Sequence, residues 1–279
     1  MKSFFYICFF ILSWSCVKEN GKYSNRPRAD KSQKIVLKGK YVKVVTLDNY
    51  APYTFSDSGN SILTQEKIPP GSDSKELKGF SWDTLREGYH AMGYTIYLTV
   101  RPWKRALTEF NIGRYEILFP TTKTPEREKE YFYSHEDTNF STMNIYTIKD
   151  SKFEFKGLAS LKGIKVGVVR GYSYGAEWDG STFIETLEND SDQQNFKMLS
   201  SKRIPAIAAY GVTADYWLLN NKKMDFYKKH PSFAFNREYL VSLKTNGSAR
   251  PKVLDFDEGK KKIIQSGLYK KIKKKWGIQ

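Results

Sequence analysis

Cysteine is nearly absent from this chain of 279 residues: Cys8 and Cys16 are the two it has, both within the first sixteen positions. A disulfide framework and a cysteine-built zinc site are thereby excluded. Histidine is scarce too, with His90, His135 and His230 alone, so a histidine-rich metal site is not expected. No stretch approaches the ~20 apolar residues of a membrane-spanning helix. Neither Gly-x-Gly-x-x-Gly nor the P-loop pattern occurs, which removes the common nucleotide fingerprints. No cofactor and no metal are expected. Acidic residues are outnumbered, 30 Asp plus Glu against 46 Lys plus Arg, for a formal net charge of +16. Hydrophobic residues are nevertheless 40% and charged ones 27%, the composition of a globular protein and not of a disordered one. The length suffices for two lobes of roughly 100–150 residues each.

What the chain does have begins at its start. Met1-Lys2-Ser3 precedes a nine-residue apolar run, residues 4–12, that ends in Ser13-Trp14-Ser15-Cys16. This is the layout of a secretory signal peptide. Small residues at Ser13 and Ser15 suit ordinary cleavage, whereas Cys16 directly after the run resembles a bacterial lipoprotein box. The usual box places Leu three positions before the Cys; here Ser13 stands there and Leu12 is one further back. A polar tether without apolar periodicity, residues 17–33, follows, as a lipid-anchored protein needs. The expectation is a signal peptide over 1–15, lipidation at Cys16 and a tether over 16–37, with ordinary secretion and an uncleaved anchor as the other readings.

From Lys40 onward strands and helices alternate. Residues 41–47 read as a strand rich in β-branched residues, followed by a loop with Tyr50, Tyr53 and Phe55 and a polar insertion, roughly 56–78. A helix over 79–92, a strand over 94–100, a helix over 104–111 and a strand over 115–119 complete the first half. The second half repeats the grammar, with strands at 164–169, 204–209 and 239–243 and one basic terminal helix over 263–276. This order predicts an α/β architecture, each lobe a mixed or mostly parallel sheet flanked by helices.

The most informative stretch is Pro102-Trp103-Lys104-Arg105, then Gly113-Arg114-Tyr115-Glu116, Thr121-Thr122-Lys123-Thr124-Pro125-Glu126-Arg127. Thr124 suits a helix N-cap and Pro125 the first helical position, which puts Arg127 in the first turn beyond the carboxyl end of a strand. That is where open α/β sheets bind ligands. A guanidinium there, beside the hydroxyls of Thr121 and Thr122, can clamp a carboxylate through two parallel hydrogen bonds. The other reading is a surface Arg paired with Glu126 or Glu130.

These residues resemble family 3 of the bacterial extracellular solute-binding proteins, which serve ABC importers, in a divergent branch. Tyr50-Ala51-Pro52-Tyr53-Thr54-Phe55, Gly79-Phe80-x-x-Asp83, Leu161-Lys162-Gly163 through Gly171, and Ser266-Gly267-Leu268-Tyr269 through Trp276 resemble further family segments in the same order. The resemblance implies the type II periplasmic-binding-protein fold: two α/β lobes joined by two hinge crossovers, near 135–142 and 233–238. Lobe 1 would comprise 38–138 plus 237–279, and lobe 2 139–236. It implies ligand contacts from Tyr50, Trp103, Thr121, Thr122, Arg127 and, in the second lobe, Tyr210, unless Tyr50 and Trp103 are ordinary core residues. Tyr172 and Ser173 would present N–H groups at a helix start, unless Ser173 merely caps that helix. Arg170 would add positive charge to the cleft, and so would Arg105 unless it lies on a solvated helix face.

Two departures bear on the ligand. Amino-acid binders of this family hold the ligand ammonium with an Asp where this chain has Tyr210; the nearest acid is Asp215, five residues on. The spacing from Glu116 to Arg127 is one residue short of the family's, which would displace Thr122. With Arg127, Arg170 and Arg105 near the cleft, an anionic solute without an obligatory ammonium is expected. The chain would be a monomeric, non-enzymatic binding protein in the periplasm or cell envelope. Its partners would be an inner-membrane ABC permease and, through the lipid, the membrane, with no nucleic acid; the eight lysines of residues 260–275 would form a solvated face. An enzyme on the same scaffold, dehydratase-like or cell-wall lytic, would need an acid or base in the cleft, with Glu116 and Asp215 as candidates. A sensor is the remaining alternative.

Overall fold

The computed structural model describes residues 39–57 and 65–278. The signal peptide, Cys16 and the tether lie outside the described residues. Among the described residues, eleven strands and eight α-helices follow in order. The first half has β1 (Tyr41–Thr46), β2 (Asn49–Tyr50), β3 (Thr54–Phe55), β4 (Gln65–Ile68), α1 (Phe80–Ala91), β5 (Thr95–Val100), α2 (Trp103–Asn111), β6 (Ile117–Thr122) and α3 (Pro125–Glu130). A long strand, β7 (Tyr131–Ile148), leads to β8 (Lys165–Val169), α4 (Ala176–Asp179), β9 (Glu185–Asn189), α5 (Asp192–Ser200), β10 (Ala206–Tyr210) and α6 (Gly211–Asn220). A second long strand, β11 (Tyr227–Leu243), returns to α7 (Arg250–Gln265) and α8 (Leu268–Trp276).

Nine strands form one sheet in the order β4-β5-β1-β6-β11-β7-β10-β8-β9. β1 is parallel to both β5 and β6, and β8 is parallel to both β10 and β9. Between these parallel blocks β7 and β11 run antiparallel to each other, from Tyr131↔Leu243 to Ile148↔Tyr227. β6 joins the far end of β11 and β10 the far end of β7. Each long strand therefore belongs to both halves, and the two-lobe type II fold follows from these shared strands. The expected crossover segments lie inside them, facing each other at Phe235↔Thr142 and Glu238↔Asn139. The register slips repeatedly between Lys229 and Val241, as it does where bulges bend a strand.

The parallel strands β1, β5, β6, β8 and β10 are largely buried on both faces, which is why they read as apolar runs, whereas the edge strand β9 is polar and mostly exposed. Val42, Val44, Ile96, Leu98, Ile117 and Phe119 pack against Trp82, Leu85 and Phe256 on one face. A second cluster runs across both halves, from Tyr50 and Trp103 to Val168 and Tyr210.

The ends of the elements explain two further features. The terminal helix expected as one piece is two, because Gly267 adopts a left-handed conformation (φ 75°) between α7 and α8. Nor are all its lysines solvated: Lys260 is 2% exposed and donates to the Asp137 carbonyl (2.7 Å) and carboxylate (3.0 Å). Asp257 accepts from the amides of His135 (3.0 Å) and Glu136 (2.9 Å). Helix α7 thus pins the start of one crossover. Helix α8 is tied to α1 through buried Asp83, which accepts from Lys275 (2.7 Å) and Trp276 (2.8 Å).

Candidate ligand cleft

The cleft is assembled from loop ends at the carboxyl edge of the sheet. Gly79, at φ 133°, lies so close to the Tyr53 carbonyl that no Cβ fits there. This approach lets the first amides of α1 donate to Pro52 (Phe80 N, 2.8 Å) and Tyr53 (Ser81 N, 3.0 Å), partners that a helix start otherwise lacks. The loop carrying Tyr50 is held in place as a result. Thr124 caps α3 by accepting from the Arg127 amide (3.2 Å), as its sequence position predicts.

Ten residues then line one pocket: Leu47, Tyr50, Trp103, Pro120, Thr122, Arg127, Tyr172, Ser173, Tyr210 and Glu238. Arg127 donates to the Thr122 hydroxyl (2.7 Å) and to the Gly171 carbonyl of the opposite half (3.1 Å). Trp103 Nε1 donates to the same carbonyl (3.1 Å). Thr122 is not displaced by the short spacing. The rings of Tyr50, Tyr172 and Tyr210 meet edge to face, with centroids 5.3–6.0 Å apart. Together they fill the pocket. The envelope measures about 250 Å3, and the space left between the side chains about 10 Å3, room for about one water molecule. Arg127, Trp103 and the three rings hold the halves together, so a solute enters only when they part.

Three expected residues do not reach the pocket. Arg105 is engaged by Glu109 (2.8 Å), one helical turn on, and Arg170 points outward to Glu188 (3.1 Å) and Asp190 (2.9 Å). Thr121, next along β6, points to the opposite face of the strand from Thr122 and its hydroxyl has no partner. The helix start expected at Tyr172 and Ser173 is also displaced. Helix α4 begins at Ala176 and has four residues, while the Ser173 hydroxyl donates to Asp179 and its carbonyl accepts from Tyr210 (2.8 Å). The candidate acids serve structure instead. Glu116 accepts from Lys252 (2.6 Å) and the Lys43 amide (2.9 Å), and Asp215 from Lys229 (2.6 Å) and Tyr146 (2.8 Å).

The residue missed from sequence is Glu238. It is 5% exposed on β11, across the ladder from Thr122, and accepts from Tyr50 (2.6 Å) and from Asn139. Burial pushes its carboxyl up to about 7, against the pull of Tyr50, Asn139 and Arg127. Glu109 is the contrast: burial would raise it too, but Arg105, Tyr115 and Arg101 hold it at about 2. No local motif marks Glu238, since it lies in a strand whose pairing spans a hundred residues.

Residues 42–279 match the model of the bacterial extracellular solute-binding proteins, family 3. The chain belongs to this family. Solved structures agree on the fold of this solute-binding protein. A mutant of ArgBP from T. maritima has a TM-score of 0.69 at 18% identity, covering 86% of this chain and 96% of that one. A substrate-binding protein of an ABC uptake transporter from Streptococcus pneumoniae, with bound histidine, gives 0.70 at 16% identity, covering 85% and 92%. A histidine kinase sensor domain gives 0.69 at 18% identity, covering 85% and 95%. A comparison with curated protein sequences finds no match. Among the described residues no helix is long and apolar enough to cross a membrane.

Proposed function

We propose that this solute-binding protein captures a small carboxylate-bearing solute between its lobes and delivers it to an inner-membrane ABC permease, without chemistry of its own. The observation that carries the reading is the shared pocket of Arg127 and Glu238 at the strands that join the halves. The guanidinium is suited to a carboxylate, and its hydrogen bond to the Gly171 carbonyl is one that an incoming carboxylate can replace. The expectation of an anionic solute without an ammonium rests on Tyr210 standing in place of an acid and on the positive charge of Arg127, Arg170 and Arg105. Glu238 removes that premise, and the engagement of Arg105 and Arg170 elsewhere removes the excess of positive charge. The solute that fits best carries a carboxylate for Arg127 and an amine for Glu238, as an amino acid does. Relatives in fold bound to arginine or histidine support this class.

A thermal-shift screen of the twenty amino acids, amines and mono- and dicarboxylates tests the reading. Stabilisation by amino acids above that by matched dicarboxylates is expected; the reverse order restores the purely anionic solute. A role in sensing is favoured by the kinase sensor domain of the same fold, and deletion of the chain with intact uptake of the solute would establish it. Lipidation at Cys16 belongs to this proposal: Cys16→Ser should release the protein from the membrane, and unchanged retention would refute the anchor.

A further inference from the structure

Tyr172 differs from the other tyrosines of the cleft. The hydroxyl of Tyr50 donates to Glu238 (2.6 Å) and that of Tyr210 to the Ser173 carbonyl (2.8 Å). Nearby, the Tyr174 hydroxyl accepts from the Val169 amide (2.8 Å). Among the described residues the Tyr172 hydroxyl has no hydrogen bond, and the partly buried side chain is held by packing alone. Its ring comes from the second half and meets both aromatic walls of the first edge to face, Tyr50 at 6.0 Å and Trp103 at 6.3 Å between centroids.

The backbone around this ring is fixed. Gly171, at φ 78°, turns the chain so that its carbonyl accepts from Arg127 and Trp103. The Tyr172 amide donates to the Val169 carbonyl (3.1 Å), and the Ser173 hydroxyl and the Tyr174 amide donate to Asp179. A fixed backbone with an unbonded side chain leaves the ring free to turn between staggered rotamers without breaking a hydrogen bond.

The space left beside the ring is about 10 Å3. A solute whose carboxylate replaces the Gly171 carbonyl on Arg127 therefore competes with Tyr172 for the place beside Tyr50 and Trp103. An aliphatic side chain entering there would forfeit the edge-to-face contacts, whereas a second ring restores them.

We propose that the Tyr172 ring is an internal occupant of the cleft, standing where the ring of an aromatic carboxylate solute, such as an aromatic amino acid, is received, and turning out as that solute enters. This rests on Arg127 as the carboxylate clamp and adds the solute's side chain and the group it displaces.

The test compares the full chain with Tyr172→Ala and Tyr172→Phe by calorimetry. The probes are L-phenylalanine, L-alanine and p-cresol, a tyrosine ring without a carboxylate. Removing a competitor raises affinity, whereas removing a contact lowers it. Tyr172→Ala should bind L-phenylalanine at least fivefold more tightly than the unaltered protein, and L-alanine within twofold of it. Tyr172→Phe should match the unaltered protein, and p-cresol should bind Tyr172→Ala alone. Weaker binding of L-phenylalanine by Tyr172→Ala would make Tyr172 an ordinary ligand contact and overturn the proposal. L-Alanine binding the unaltered protein as tightly as L-phenylalanine would overturn the aromatic solute. Absence of p-cresol binding to a folded Tyr172→Ala would overturn the internal occupant, whatever becomes of Arg127. Binding of p-cresol, with no carboxylate bound by either protein, would instead bring down the Arg127 clamp and the aromatic solute with it. Should Tyr172→Ala fail to fold, the unaltered protein decides. The nuclear Overhauser contact between the Tyr172 and Trp103 rings should vanish with L-phenylalanine, and its persistence under excess L-phenylalanine would overturn the proposal.

Discussion

The first lobe and the crossovers bring charge to the cleft, a guanidinium from Arg127 and a carboxyl from Glu238, with the Thr122 hydroxyl between them. The second lobe brings rings and carbonyls: Tyr172, Tyr210, and the backbone oxygens of Gly171 and Ser173. On the proposed reading of the cleft, the difference gives the two lobes different work. Discrimination between ligands requires differences in charge, which the first lobe and the crossovers supply. Closure requires contacts that form and break in register, and the second lobe supplies these as the Gly171 carbonyl reached by both Arg127 and Trp103 and as rings that meet Tyr50.

The sharpest test of that division is Arg127→Ala. It removes the cation and one closing hydrogen bond at once, and should lower solute affinity by roughly 2–5 kcal/mol. Calorimetry showing unaltered affinity would return Arg127 to a closing role alone.

Next in size is the pH dependence of Glu238. Its carboxyl titrates near 7 in the folded protein, above the ordinary 4.5, so between these values the folded form holds a proton that the unfolded chain has lost. The stability this contributes is complete below the unfolded value and fades as pH rises through about 7. At ~1.4 kcal/mol per pH unit, the loss reaches up to about 3 kcal/mol. The thermal midpoint of the solute-free protein should therefore fall from pH 5 to pH 8, and Glu238→Gln should flatten that slope. Parallel slopes in both proteins would mean that Glu238 is already ionised at pH 5. Asp192, also raised to about 7, contributes in the same direction and should leave a residual slope in the variant.

Smaller effects should mark the closing wall. Trp103→Phe deletes one of the two donors to Gly171 while keeping the ring, and should cost about 1 kcal/mol of solute affinity with no change in which solutes bind. An altered ligand ranking would show Trp103 acting in selection. Smallest is Tyr210→Phe, which removes a hydrogen bond internal to the second lobe and should lower stability by about 0.5 kcal/mol, measured by denaturant unfolding. If it instead weakens ammonium-bearing ligands tenfold, Tyr210 and not Glu238 is the ammonium contact.

Much of this was legible locally. Thr124-Pro125 announced a helix start and so the place of Arg127; the apolar runs of β1, β5 and β6 announced parallel strands buried on both faces. Less local features were misread or missed. The single terminal helix is broken at Gly267, the strand expected over 239–243 is only the end of β11, seventeen residues long, and β7, eighteen residues long, was expected only as a crossover. Their polar, aromatic mixture carries no clean alternation, because each strand passes from one lobe's core through an exposed crossover into the other's.

The sequence by itself determined the class of fold, the family and the position of the cation, since each rests on caps, periodicity and motifs within a few residues of one another. The tertiary structure alone decided which charges face the ligand. Arg105 and Arg170 are met by carboxylates of their own halves, while among the described residues no cation pairs as closely with Glu238 or Asp192. Whether a charge is answered depends on what stands within hydrogen-bonding reach of it, and that is set by strand register and helix packing across a hundred residues of chain.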